Sequence, residues 1–263
     1  MFKRAAVLVV SCGVLLSGCG SELQAGSSSE NEEIIANLIE AGFPADDIEV
    51  LDGAVYVGRD IQVSLEASRE QLRAGEKSQE HFCTTNLVDV TRVKRICINP
   101  TSTFNSYARL SQGLDAAIAN YNALGLCFSM VRGPATGCDA TIRAQTMSGT
   151  GGSAGFPSNG LPYGVINIGI GLNSYSADVN EHVITHELGH TIGLRHTDYY
   201  NRAISCGSGG SEGSASVGAI HIPGTPTTAL VGSSIMNSCF RSTETGEFTS
   251  ADITALNYLY GGC

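Results

Sequence analysis

His186, His190 and His196 stand four and six residues apart, with Glu187 directly after the first and Gly193 between the second and third. Residues four apart on a helix share a face and lie about 6 Å apart along its axis. His186 and His190 can therefore aim their imidazoles at one point. Glu187 flanks that point, where a carboxylate can act as general base on a water. Gly193 can take the left-handed conformation that ends a helix, so that the chain turns and His196 returns as a third ligand. Three protein ligands and one open position describe a catalytic Zn2+ site, whereas structural zinc sites are closed by four. A lone histidine on an amphipathic helix is ordinary packing. The glycine and third histidine at fixed offsets separate this stretch from that case.

Other segments must position these residues. A helix carrying the histidines is expected to begin near Ser176. VKRICIN (93–99), CFSMV (127–131), ATIRAQ (140–145) and VINIGI (165–170) read as strands. Residues 106–124 carry Leu110, Leu114, Ile118 and Tyr121 at helical spacing, with Gly125 after them. Residues 148–160 are rich in Gly and Ser and read as a loop, and a closing helix carries Ile253, Leu256, Leu259 and Tyr260. Toward the N-terminus, Ile34, Ile35, Leu38 and Ile39 face one side of a short helix, AVYVGRDIQVS (54–64) reads as one strand, and residues 65–73 look helical. RAGEKSQEH (73–81) has the character of a linker or cleavage site, and no internal repeat is visible. The pattern is α+β.

The chain opens MFKRAAVLVVSCGVLLSGCG. A charged start followed by an apolar run too short to span a bilayer reads as a signal peptide over residues 1–18. Leu16-Ser17-Gly18-Cys19 resembles a bacterial lipobox, which implies lipid on Cys19 as the first mature residue. Residues 19–33 read as a polar tether. Loss of Lys3 and Arg4 leaves 13 basic residues against 25 acidic, a net charge of −12. With no basic stripe, nucleic acid is not an expected partner. Export favours disulfides. Beyond Cys12 and Cys19, seven of the nine cysteines remain, so at least one thiol is left over. Cys127 with Cys138 and Cys206 with Cys239 are the expected pairs, and Cys83 with Cys97 is a further possibility.

The stretch from His186 to His196, with SSIMNS (233–238) placing Met236 in a later turn, resembles the metzincin clan of zinc endopeptidases. HTDYYNR, GAIHIPGTP and SSIMNSC are similar to the bacterial dual-action HEIGH, or protease B-type, metallopeptidases. The resemblance is strong over residues 90–263. It implies a metzincin-like catalytic domain over 91–263, a twisted mixed sheet with an active-site helix and a C-terminal helix, and a pro-segment-like region over 34–90. It also implies that Met236 and Gly193 support the metal site and that Asp198 braces it by hydrogen bonding. Astacins place a tyrosine two residues after the turn methionine; Ser238 stands there, leaving Tyr199 and Tyr200 as possible substitutes. His182 is expected to pack, and His221 has no assigned role.

These readings imply an exported, lipid-anchored zinc endopeptidase acting on proteins or peptides. It is expected as a monomer, held at the outer membrane or secreted after processing. Two competing readings are a catalytically inactive lipoprotein that binds partners and a hydrolase of another surface polymer. Two residues could block the open zinc position. Asp60, in YVGRDI, resembles the aspartate of the FxGD stretch in astacin pro-segments, with Arg59 where that stretch has glycine. Cys83 is the alternative, because a thiolate is a strong zinc ligand.

Overall fold

The computed structural model describes residues 28–72, 81–213 and 219–263. The expected signal peptide, Cys19, most of the tether and residues 73–80 of the expected linker lie outside them. In chain order the elements are α1 (Ser28–Glu40), β1 (Glu49–Leu51), β2 (Ala54–Val57), β3 (Ile61–Gln62), α2 (Leu65–Gln71), β4 (Phe82–Cys83), β5 (Arg95–Pro100) and α3 (Ser102–Ser106). They continue with α4 (Ala108–Ala123), β6 (Ser129–Arg132), β7 (Ala140–Met147), β8 (Gly152–Gly155), β9 (Val165–Gly169), α5 (Ala177–Thr191), α6 (Ala203–Cys206), β10 (Ile220–His221) and α7 (Ser250–Tyr260). Among the described residues no helix is long and apolar enough to cross a membrane.

One mixed sheet of eight strands, ordered β1-β2-β3-β8-β9-β7-β5-β6, forms the frame, and β4 and β10 make a separate pair. Strands β5, β6, β7 and β9 run parallel, and β8 runs antiparallel to β9. The central strands are short apolar runs, as in strands covered on both faces: Ile96, Cys97, Ile98, Ile142, Ile166 and Ile168 are buried. Helix α4 lays Leu110, Leu114, Ala117, Ile118 and Tyr121 against α5, and the Tyr121 hydroxyl donates to the Thr185 carbonyl at 2.9 Å.

Helix α5 is buried from Val179 to Thr191, on every side. A helix enclosed all round has no polar face for solvent, and burying a polar side chain without partners is costly. The polar side chains it carries therefore need partners or a task. Its start is set by Ser176, whose side chain accepts from the Val179 amide. Its end is set by Gly193 at φ 105, where a Cβ would stand 2.5 Å from the Asn86 carbonyl oxygen.

The N-terminal layer, α1 to α2, has its own small core of Ile34, Leu38, Phe43, Val55, Val57, Ile61 and Val63, closed by Phe156 from the larger part. It joins the sheet through β3, which pairs parallel with β8. Several expectations change. Helix α1 begins at Ser28, inside the expected tether. AVYVGRDIQVS is a hairpin rather than one strand, because Gly58 and Arg59 take left-handed φ of 63 and 75. The Gly/Ser-rich loop contains β8. Cys83 and Val88, within the expected N-terminal region, pack in the main core with Val93.

The disulfides are Cys97–Cys138, Cys127–Cys263 and Cys206–Cys239. Cys206–Cys239 is as expected. Cys127 does not meet Cys138, because β5 lies between β6 and β7 and brings Cys97 beside the start of β7. Cys127 instead meets the chain end, where its amide donates to the Tyr260 carbonyl at 2.7 Å. Cys83 carries no disulfide and is buried.

Candidate metal centre

The side chains of His186 and His190 leave α5 on one face, and His196 comes back from the turn after Gly193. Their three Nε2 atoms lie 3.0, 3.2 and 3.2 Å from one another. Each Nδ1 faces an acceptor: Ile235 O for His186 and Leu194 O for His190, both at 2.8 Å, and Glu212 Oε1 for His196 at 2.6 Å. Those acceptors fix the tautomers, with a proton on each Nδ1 and a lone pair on each Nε2. Three converging lone pairs repel unless a cation sits among them. Tetrahedral zinc with Zn–N bonds near 2.0–2.1 Å spaces its ligands by about 3.3 Å, so the donor set fits zinc.

Asp60, on the hairpin turn of the N-terminal layer, joins this group. Its Oδ2 lies 3.2 Å from His196 Nε2 and 3.7 Å from His186 Nε2. Burial opposes its charge, but positive charge among the three imidazoles, a proton on His196 first or a bound cation in its place, outweighs burial and holds the carboxyl well below the usual carboxylate range.

Glu187 follows His186 and is buried, and its Oε2 has no hydrogen-bond partner among the described residues. Strand β8 passes so close that a Cβ on Gly152 would stand 2.2 Å from Glu187 Oε1. Burial first, and then the Asp60 carboxylate, hold the Glu187 carboxyl well above the usual range. A neighbouring carboxylate disfavours ionisation of the other.

Met236 lies in a buried turn. Its carbonyl accepts from the Thr197 amide at 2.8 Å, and the preceding Ile235 carbonyl holds His186. Asp252, near the start of α7, accepts from Ser234 Oγ at 2.5 Å and from the Ile235 amide at 3.1 Å, so the last helix holds this turn. Asp198 accepts from the Ser238 amide and hydroxyl through Oδ1, and from the Ser205 amide and hydroxyl through Oδ2. It ties the chain after His196 to the chain after Met236.

Cys83 is not part of the metal group. It sits in the main core, and burial pushes its thiol up to about 12. An apolar site with no cation disfavours the thiolate that zinc needs. His182 lies one turn before His186, outside the group, with Nδ1 3.9 Å from Glu244. His221 meets the Thr225 hydroxyl at 3.2 Å. Tyr199 packs edge-on against Phe82, and the Tyr200 hydroxyl accepts from the Ala229 amide at 3.0 Å. The Ser238 hydroxyl is engaged by Asp198 and Glu212. Glu212, fully buried on His196, was not anticipated. It lies in a Gly/Ser-rich segment, and a single acid within GSGGSEGSASVG was the only signal.

Beside Glu187 opens a cleft of about 380 Å³, lined by Met147, Gly151, His182, Val183, Ser238 and Phe240 among others, with Arg59 and Asp60 at its wall. Buried imidazoles, a buried acid and a cleft along a sheet strand together suit hydrolysis of an extended polymer.

The dual-action HEIGH metallopeptidase family matches residues 55–260 of the chain. No curated protein sequence matches it. Among solved structures, it is similar to high choriolytic enzyme 1, a hatching enzyme zinc-protease from Oryzias latipes (medaka fish). That match has 16% identity and a TM-score of 0.40, covering 66% of this chain and 92% of that one. Two structures of myroilysin match at 12% and 13% identity with TM-scores of 0.41 and 0.39. They cover 65% and 83% of this chain, and 94% and 96% of theirs.

Proposed function

The chain belongs to the dual-action HEIGH metallopeptidases and is a zinc peptidase, and from that premise we propose an exported, lipid-anchored endopeptidase that its own N-terminal layer keeps latent. The observation that carries the peptidase reading is the convergence of three Nε2 atoms with Glu187 beside them. His186, His190 and His196 hold the metal. Zinc, when bound, supplies Lewis acidity toward a carbonyl oxygen and makes a water more acidic.

The chain's own groups do the rest. Once Asp60 has left, Glu187 faces a space open to water. Its Oε2 can then take a proton from the attacking water and pass it to the leaving nitrogen. Strand β8, freed of β3, offers backbone donors and acceptors beside which an extended peptide can lie. An internal segment laid along that edge is what an endopeptidase requires. The cleft wall of Val183, Met147 and Phe240 excludes water from one side of the scissile bond.

Latency is supported by Asp60, whose carboxylate occupies the space facing the three imidazoles. Export is supported by the apolar run at residues 5–16 and by three disulfides, which persist in oxidising compartments. Lipid attachment rests on LSGC at 16–19, and mass spectrometry of the native N-terminus should find lipid on Cys19. The enzymatic test is casein hydrolysis by purified protein nicked in the 73–80 segment. Cleavage should stop with a chelator and return with zinc. Cleavage indifferent to the chelator would overturn the reading.

A further inference from the structure

The three histidines are not held alike. His186 and His190 each give their Nδ1 proton to a neutral main-chain carbonyl, which is enough to fix a ring. His196 gives its proton to Glu212, whose side chain is fully buried. Taking a carboxylate out of water costs several kcal/mol, and glutamate is almost never fully buried unless paired. The chain has built a setting for this one. Arg195 Nη2 lies 3.5 Å from Oε2, and Arg202 Nη1 lies 4.0 Å from Oε1. The Ser238 hydroxyl donates to Oε1 at 3.3 Å. Arg202 also reaches Asp47 of the N-terminal layer at 2.8 Å, and the Gly58 amide donates to the other oxygen of Asp47 at 3.1 Å. Two buried guanidiniums thus flank Glu212, and the hairpin that carries Asp60 closes over them.

We propose that Glu212 is the positioning residue of the metal centre: it orients His196 and, through a charge-assisted hydrogen bond, makes this one ligand more basic than the other two. It touches neither substrate nor metal. A carboxylate behind a metal-bound imidazole fixes the ring's tautomer and strengthens its lone pair, and loss of such a partner lowers metal affinity about 10–100-fold. The proposal rests on the zinc reading of the three histidines and goes beyond it. Sequence spacing marks His196 as the third ligand, and the structure assigns it the anionic support.

Glu212→Gln tests this, since it keeps the acceptor oxygen and the volume and removes the charge. The dissociation constant for zinc, from competition with a chelator, should rise about 10–100-fold while far-ultraviolet dichroism stays that of the wild type. Arg202→Met disturbs the same buried network and leaves the hydrogen bond between Glu212 and His196 in place. It should lower the melting temperature while leaving zinc affinity within about threefold. Should Glu212→Gln fail to fold, the wild type still decides. With histidine labelled in nitrogen-15 and zinc bound, the Nδ1 proton of His196 should resonate well downfield of those of His186 and His190. Unchanged zinc affinity in Glu212→Gln, equal loss in both variants, or three overlapping Nδ1 protons would overturn the proposal. Wild type that takes up no zinc at all would overturn the zinc reading first and this proposal with it.

Discussion

The helix that carries the histidines and the hairpin that carries Asp60 meet at one point but are held in different ways. Helix α5 is enclosed from Val179 to Thr191, and every Nδ1 around the metal point has a fixed acceptor. The hairpin reaches the same point from a layer with its own small core. That layer is joined to the larger part by two residue pairs between β3 and β8, the ion pair through Asp47, hydrogen bonds of Glu70 and Gln71 with Asn86 and Asn159, Arg195 over the Phe43 ring, and Phe156. The groups that do chemistry are part of the main core. The group proposed to restrain them stands on a layer with a core of its own. Control by a detachable layer would require this asymmetry, because inhibition would then end without loss of the site.

The largest effect should follow a change on the enclosed side. His196→Ala removes one of three ligands. Zinc binding, measured by chelator competition, should weaken more than about 100-fold, and casein cleavage should fall to background. Retained zinc and activity would show that the third ligand is elsewhere. Glu187→Gln should keep zinc and lose turnover by about 10²–10⁴-fold, the usual contribution of a positioned base; near-normal kcat would remove Glu187 from the mechanism. On the detachable side, Asp60→Ala in the uncut chain should raise peptide cleavage tenfold or more, since a charge-assisted contact contributes about 1.5–3 kcal/mol and 1.4 kcal/mol is tenfold. Uncut protein equally inactive with and without Asp60 would break the comparison. The smallest effect lies one step behind the turn that holds His186. Thr249 and Asp252 form a capping box on α7. Thr249→Ala should cost about 1 kcal/mol and lower the melting temperature by about 2–4 °C, with peptide cleavage at room temperature unchanged.

What was legible in the sequence follows the same division. The metal ligands, Glu187, the Ser176 cap and the Gly193 stop depend on neighbours within one or two helical turns, where spacing and geometry are nearly the same thing. The α4 face was readable too, since it has one apolar side. Strand β8 was not, because Gly152 lets Glu187 pass closely, a requirement set by tertiary approach and invisible in local pattern. The pairing of Cys127 depended on sheet order, which places β5 between two strands that looked adjacent. Cys83 offered the right element for zinc but lies in an apolar core. Glu212 was hidden because its partners, His196, Arg195 and Arg202, converge only through folding of a segment that reads as featureless.

Anomalous X-ray scattering at the zinc edge, from crystals of the uncut chain, tests the central claim most directly. A single strong peak should lie among the Nε2 atoms of His186, His190 and His196, with the Asp60 carboxylate as its nearest oxygen donor. A peak at another site, or one at the three histidines with Asp60 turned away, would contradict the account.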